Sequence, residues 1–222
     1  MLLAVDTSTR NISIALYDGG CVLSEMFWSS PNYHTVELAP AVALMLSKAR
    51  ITSKDLKAVG VAIGPGSYTG LRIGLAFVKG LALSHHIPLM GVPTLDILAA
   101  SQPISSLSLA AVLEAGRKRM SVGWYRVEHG NWRSTGQLEN MSLEEFAEAL
   151  QEPTWICGEL SDQVRARLGQ LGENVQIASP AQSVRRSAFL AELAWHRWQA
   201  GQIDDPAILA PKYLHTGSPI PG

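Results

Sequence analysis

Residues 64–74 read GPGSYTGLRIG, with four glycines, one proline and the hydroxyls of Ser67 and Thr69 in eleven positions. The apolar run AVGVAI comes just before, and a helical pattern follows, with Leu71, Leu75, Val78 and Ala82 on one face. A buried strand, a glycine-rich turn and a helix in that order permit two readings. The free N–H groups and the positive dipole end of a helix starting near Ser67 and Thr69 suit an anion. Alternatively Gly70 and Gly74, four residues apart like Ala76 and Gly80, let another segment approach closely. Neither common nucleotide motif is present. There is no GxxxxGK[ST], and Thr69 stands where the GxGxxG fingerprint needs its third glycine.

Around this stretch the chain alternates strands and helices. LLAVDTS, ISIALYDGG and CVLSEMFWS read as three antiparallel strands, with Asp18-Gly19-Gly20 as a hairpin turn. A helix over Thr35–Ala49 follows, then the strand, the glycine loop and the second helix, the short strand IPLMGV, and a helix LDILAA capped by Thr94. SQPISSLS is a Ser/Pro-rich hinge. Beyond it LAAVLEAG, SVGWYRVEHGNW, TWICGEL and NVQIA read as strands and SDQVRARLGQL and SAFLAELAWHRWQAG as helices, while Ser142 and Glu145 form a capping box. The expected fold class is α/β, with a mixed sheet covered by helices in each of two lobes. The lobes are placed at residues 1–102 and 103–222, with the last helix and tail able to pack back on the first.

Composition bounds the function. The 222 residues are 47% hydrophobic, enough for a real core. The 18 basic and 19 acidic residues do not fit a strongly basic nucleic-acid binder. Arg117-Lys118-Arg119, Arg165/Arg167 and Arg185/Arg186 read as solvated faces. Cys21 and Cys157 show no CxxC or Cys/His spacing, so no zinc site or disulfide framework is expected, and reduced thiols suit the cytosol. No targeting segment and no bilayer-spanning run is visible, so a cytoplasmic protein with no membrane contact is expected.

The loop GPGSYTGLRIG, together with the opening LAVDTST, the stretch YHTVELAP and the tail APKYLH, resembles the TsaB (YeaZ) family of the bacterial tRNA threonylcarbamoyladenosine machinery. The likeness is strong over residues 1–100 and weaker beyond. Where the family usually has Asp-Ala-Arg, this chain reads Glu114-Ala115-Gly116-Arg117.

The resemblance implies the actin-like ATPase (ASKHA) superfold and kinship with the catalytic paralogue TsaD. That paralogue carries His-x3-His on its first helix, whereas this chain has His34 followed four residues later by Leu38, which cannot ligate a metal. The superfold also implies that Asp6, at the end of the first strand, works near phosphates and metal. A strand-terminating Asx or ST turn is the plainer reading. Asp6, Ser67 and Thr69 are thus the candidate anion or nucleotide contacts. No catalytic or metal residue is assigned, and no cofactor is expected on this chain alone, with ATP or ADP allowed at a complex interface.

The first helix has no charge from Leu38 to Leu46, so it should be buried on every side, while its own sheet covers one. Burial beneath the second lobe is one solution and a partner is another. Since the family uses this helical face to pair with TsaD or with itself, the resemblance implies an interface of His34, Leu38, Val42, Met45, Gly70, Ile73, Gly74 and Phe77. The expected function is a non-catalytic subunit that supports TsaD in transferring threonylcarbamoyl to N6 of adenosine 37. The ATPase TsaE is a further partner, tRNA is reached through the complex, and a homodimer is expected in isolation. The alternative is a glycoprotease-like metallopeptidase or independent ATPase of the same superfold.

Overall fold

The structure is a computed structural model and describes residues 1–31, 33–116, 119–172 and 174–213. Two compact units are present. Met1–Ile97 and Arg185–Lys212 form the first, and Leu98–Val184 forms the second together with Tyr213.

In the first unit β1 (Leu2–Asp6), β2 (Asn11–Tyr17) and β3 (Val22–Ser29) make the expected antiparallel meander. Its hairpin is held by the Asp18 carboxylate, which accepts the N–H groups of Gly20 and Cys21. β4 (Ala58–Ala62) pairs parallel with β1, and β5 (Leu89–Val92) parallel with β4, giving the order β3-β2-β1-β4-β5. The crossovers are α1 (His34–Lys48) and α2 (Tyr68–His85). β1 and β4 are buried along their whole length, which is why LLAV and AVGVA read as continuous apolar runs rather than alternating ones.

Each face of this sheet has its own core. On one side Leu3, Val5, Ile14, Val59 and Val61 meet Leu38, Val42 and Met45 of α1 and Leu75 and Val78 of α2. On the other, Leu2, Ala4, Ala58 and Ala62 meet Leu190, Ala191 and Ala194 of α6 (Ser187–Gln199). Gly60 is required here, since a Cβ on it would lie 2.7 Å from that of Ala194. The tail closes the outer edge of β5. Asp204 N–H donates to the Leu89 carbonyl, the Asp204 carboxylate accepts from Gly91 N–H at 2.7 Å, and Arg197 donates to the Gly91 carbonyl.

α3 (Thr94–Ala100) starts at its expected cap, one residue earlier than LDILAA. Thr94 is its first helical residue, and the Thr94 hydroxyl is used elsewhere, as described below.

The second unit contains β6 (Ser108–Ala115), β7 (Arg119–Glu128), β8 (Asn131–Ser134), β9 (Glu139–Ser142), β10 (Thr154–Glu159) and β11 (Val175–Ile177). Its sheet order is β11-β10-β6-β7-β8, with β9 beside β7. β9 was not expected from the sequence, because ENMS has no apolar alternation and holds its place by pairing with Arg119–Val122. α4 (Leu143–Ala149) begins with the Ser142/Glu145 capping box, and α5 (Asp162–Gly169) follows β10. Phe146, Ile156, Val164 and Leu168 fill its core with Val112 and Val122. Arg117 and Lys118, part of the divergent and basic stretches noted above, lie outside the described residues, as do Leu214 and His215 of the family-like tail.

Candidate functional site

α2 starts at Tyr68, three residues before Leu71, the first apolar residue of its face, so residues 68–74 of the glycine stretch belong to the helix. Ser67 is the N-cap, and its hydroxyl accepts the Gly70 N–H at 3.3 Å. The loop is seated on the turn that ends β1. Thr7 donates its hydroxyl to the Gly70 carbonyl at 2.7 Å, and Ser67 N–H donates to the Ser8 carbonyl at 2.6 Å. A Cβ on Gly66 would collide with the Ser8 carbonyl, one on Gly70 with the Thr7 carbonyl, and one on Gly74 with the Thr7 hydroxyl. Three glycines at positions 66, 70 and 74 therefore share one steric cause, the close passage of Thr7 and Ser8, by backbone at Gly66 and Gly70 and by the Thr7 side chain at Gly74.

The base of the loop is tied just as closely. The Thr94 hydroxyl accepts the Gly64 N–H at 3.0 Å and lies 2.9 Å from the Ser8 hydroxyl. Thr94 N–H returns a bond to the Gly64 carbonyl, and Lys212 N–H donates to the Ile63 carbonyl at 2.7 Å. Ser67 and Thr69 remain exposed.

Asp6 is fully buried, and both of its carboxylate oxygens are engaged. Oδ1 accepts the Ser8 N–H at 2.7 Å, and Oδ2 accepts from Arg185 Nε at 2.9 Å. Arg185 is 1% exposed and also donates to the Thr9 hydroxyl. The sequence reading placed Arg185 with Arg186 on a solvated face, and the structure corrects this. Arg186 is exposed and pairs with Glu25, whereas Arg185 is buried 179 residues from its carboxylate partner. No local signal separates two adjacent arginines. Thr7 and Thr94 were missed for the same reason, since their roles arise from contacts 63 and 86 residues away.

The two helices of the expected interface divide into two faces. His34, Leu38, Val42 and Met45 recur at core-facing helical spacing, and all four are buried. The His34 ring nitrogen Nε2 lies 2.8 Å from the Thr9 carbonyl. Gly70 and Gly74 are buried against Thr7, and Ile73 and Phe77 pack at the margin of the core. Six of the eight residues named for the interface thus point inward, because an apolar stripe at this spacing first serves its own sheet. The opposite side of α1 carries Val36 at 65% and Leu44 at 48% exposure, and α2 carries Leu83 at 62%. Among the described residues α1 is therefore covered on one side only.

A family model described as "TsaD: tRNA N6-adenosine threonylcarbamoyltransferase" matches residues 22–156. The chain belongs to the TsaB (YeaZ) family. It is 34% identical to the tRNA threonylcarbamoyladenosine biosynthesis protein TsaB of Bacillus subtilis over 68% of this chain and 66% of that one. The solved YeaZ from Pseudomonas aeruginosa superposes with a TM-score of 0.79 at 26% identity, covering 96% of this chain and 99% of its own. The ethanolamine utilization protein EutJ from Carboxydothermus hydrogenoformans shares the fold alone, at a TM-score of 0.50 and 15% identity over 86% of this chain and 88% of that one. The fold is of the expected α/β class, with two mixed sheets flanked by helices. Alignments to the curated TsaB relatives span 47% to 66% of those relatives' own length.

Four residues after His34 the first helix carries Leu38. Leu38 is 2% exposed and sits in the core, so the helix offers one imidazole, already bonded to a backbone carbonyl. Among the described residues no group of three His, Cys, Asp or Glu side chains could hold a metal ion. Cys157 is fully buried, and burial pushes its thiol far above the usual range, so it stays protonated and inert. A nucleotide or metal at Asp6, which the resemblance implies, would have to reach a fully buried carboxylate whose two oxygens each already accept a hydrogen bond within the chain and whose charge is paired with Arg185. No described helix is long and apolar enough to cross a membrane.

Proposed function

We propose that this chain is a non-catalytic subunit of the complex that transfers threonylcarbamoyl to N6 of adenosine 37 in tRNA. Its role is to bind and activate the catalytic paralogue TsaD, with TsaE as the ATPase of the same cycle and tRNA reached through the complex. The carrying observation is the set of apolar side chains that the described residues leave uncovered on α1 and on α2. Val36, Leu44 and Leu83 expose hydrocarbon that the chain's own sheet does not use. This side replaces the buried Leu38, Val42 and Met45 as the surface offered to TsaD, or to a second copy when TsaD is absent. The single imidazole of His34 supports the non-catalytic reading. No cofactor is assigned to this chain alone, ATP or ADP belongs at an interface of the complex, and the compartment is the cytoplasm.

The test uses Val36→Glu and Leu44→Glu. Both residues are exposed, so circular dichroism and melting temperature should stay near those of the parent chain. Co-purification with TsaD should fall at least tenfold, and so should tRNA modification by the reconstituted set. Full modification by either variant would overturn the assignment of this face, and modification by the remaining subunits without this chain would overturn the function.

A further inference from the structure

Arg185 is the largest fully buried side chain among the described residues, and it lies where the chain re-enters the first unit. Its guanidinium holds two named groups. Nε donates to Asp6 Oδ2 at 2.9 Å, and one terminal nitrogen donates to the Thr9 hydroxyl at 2.9 Å. The other Asp6 oxygen accepts the Ser8 N–H. Ser8 in turn holds Ser67 N–H on its carbonyl and Thr94 on its hydroxyl, and Thr94 holds Gly64. A hydrogen-bonded path therefore runs from Arg185 through Asp6 and the Thr7–Ser8 turn to both ends of the loop that precedes α2.

A carboxylate removed from water needs a compensating charge close by. In many sites of this chemistry a bound cation supplies it. Here a guanidinium of the same chain does, and its permanent charge and forked donors suit a buried carboxylate with a hydroxyl beside it. We infer that Arg185 is a built-in substitute for a bound cation at the end of β1, neutralising Asp6 and holding the Thr7–Ser8 turn beneath the glycine loop. The loop is thereby set in place with no metal or nucleotide at Asp6. Arg185 is a positioning residue in this account, acting on the loop through Asp6 and Ser8.

Four variants test the inference on the full chain: Arg185→Gln, Asp6→Asn, the double variant, and Arg185→Ala. Arg185→Gln should lower Tm by about 10 °C, because it leaves the Asp6 charge buried without its partner. The double variant should recover a clear part of that loss, since Asn and Gln can bond each other without charge. Low-millimolar guanidinium should raise the Tm of Arg185→Ala and leave the parent unchanged. In electron paramagnetic resonance titrations Mn2+ should bind Arg185→Ala and not the parent, and the added Asp6→Asn change should abolish that binding. If Arg185→Ala does not fold, Arg185→Gln carries the manganese and guanidinium measurements. Additive losses in the double variant, or no response of either single arginine variant to guanidinium or Mn2+, would overturn the inference. So would stabilisation of the parent by Mn2+ or Mg2+–ATP that Asp6→Asn removes.

Discussion

The two units use one strand order for different ends. In the first, β1 is flanked by antiparallel β2 and parallel β4, with β3 and β5 outside them. In the second, β6 is flanked by antiparallel β7 and parallel β10, with β8 and β11 outside. The helix after each inner parallel strand begins at a serine N-cap, Ser67 for α2 and Ser161 for α5. The N–H of each serine is satisfied from just past the central strand or from its end. Ser67 uses the Ser8 carbonyl, and Ser161 uses the Glu114 carboxylate.

The parallel stops there. In the first unit the joint is sealed by buried Asp6 and by glycines 66, 70 and 74, which let the loop and helix lie against the backbone of Thr7 and Ser8 and against the Thr7 side chain. In the second unit Glu114 is exposed, and Gly169, the one glycine of α5, faces open space. A shared topology sets where a loop lies, and the side chains at the joint decide whether it is a closed seat or an open bend.

The strongest way to break this comparison is to fill the seat. Gly70→Ala and Gly74→Ala should each destabilise the chain by about 2–3 kcal/mol in urea melts, as overpacked sites do. Gly169→Ala, whose Cβ meets nothing within 4 Å, should instead be neutral or stabilise by up to about 1 kcal/mol. Equal costs at the three sites would remove the distinction between the joints.

Thr7→Val tests the seat from the other side. It keeps the shape but loses the hydroxyl donor to the Gly70 carbonyl, and it should cost about 1–2 kcal/mol.

The caps sharpen the comparison. Ser67→Ala and Ser161→Ala each remove one hydroxyl acceptor at similar geometry, 3.3 Å and 3.4 Å, and should cost about 1 kcal/mol apiece. Thr69→Ala should be milder still, because Thr69 is exposed. If Ser67→Ala or Thr69→Ala abolished tRNA modification while leaving melts unchanged, the loop would be an anion site and the seat reading would fail.

The smallest effect concerns pH. The Ser142 N–H and hydroxyl hold the Glu145 carboxyl below its ordinary range. A carboxyl lowered in the folded state adds stability that is present at neutral pH and fades as pH falls through its folded value. Ser142→Ala should therefore narrow its gap to the parent chain on going from pH 7 to pH 3. A gap that stays constant would show that the hydroxyl acts without the carboxylate.

Much of the fold is written locally. The meander, the parallel strands and the main helices follow from apolar runs, turn residues and helical spacing, because each signal lies within one element. The Ser142/Glu145 box was legible for the same reason, as were the glycine loop as a structural centre and the family likeness carried by its residues.

What the chain does with those elements was decided at long range. Spacing marked Leu38, Val42 and Met45 as one stripe, but the packed sheet shows that this stripe faces inward and leaves Val36 and Leu44 outside. The adjacent residues Arg185 and Arg186 look identical in sequence. One closes a buried pair with Asp6 and the other meets Glu25 at the surface, because only folding brings a carboxylate 179 residues away against the first. The glycines announced a close approach by lacking side chains, and tertiary structure alone supplied Thr7 and Ser8 to fill the space they leave.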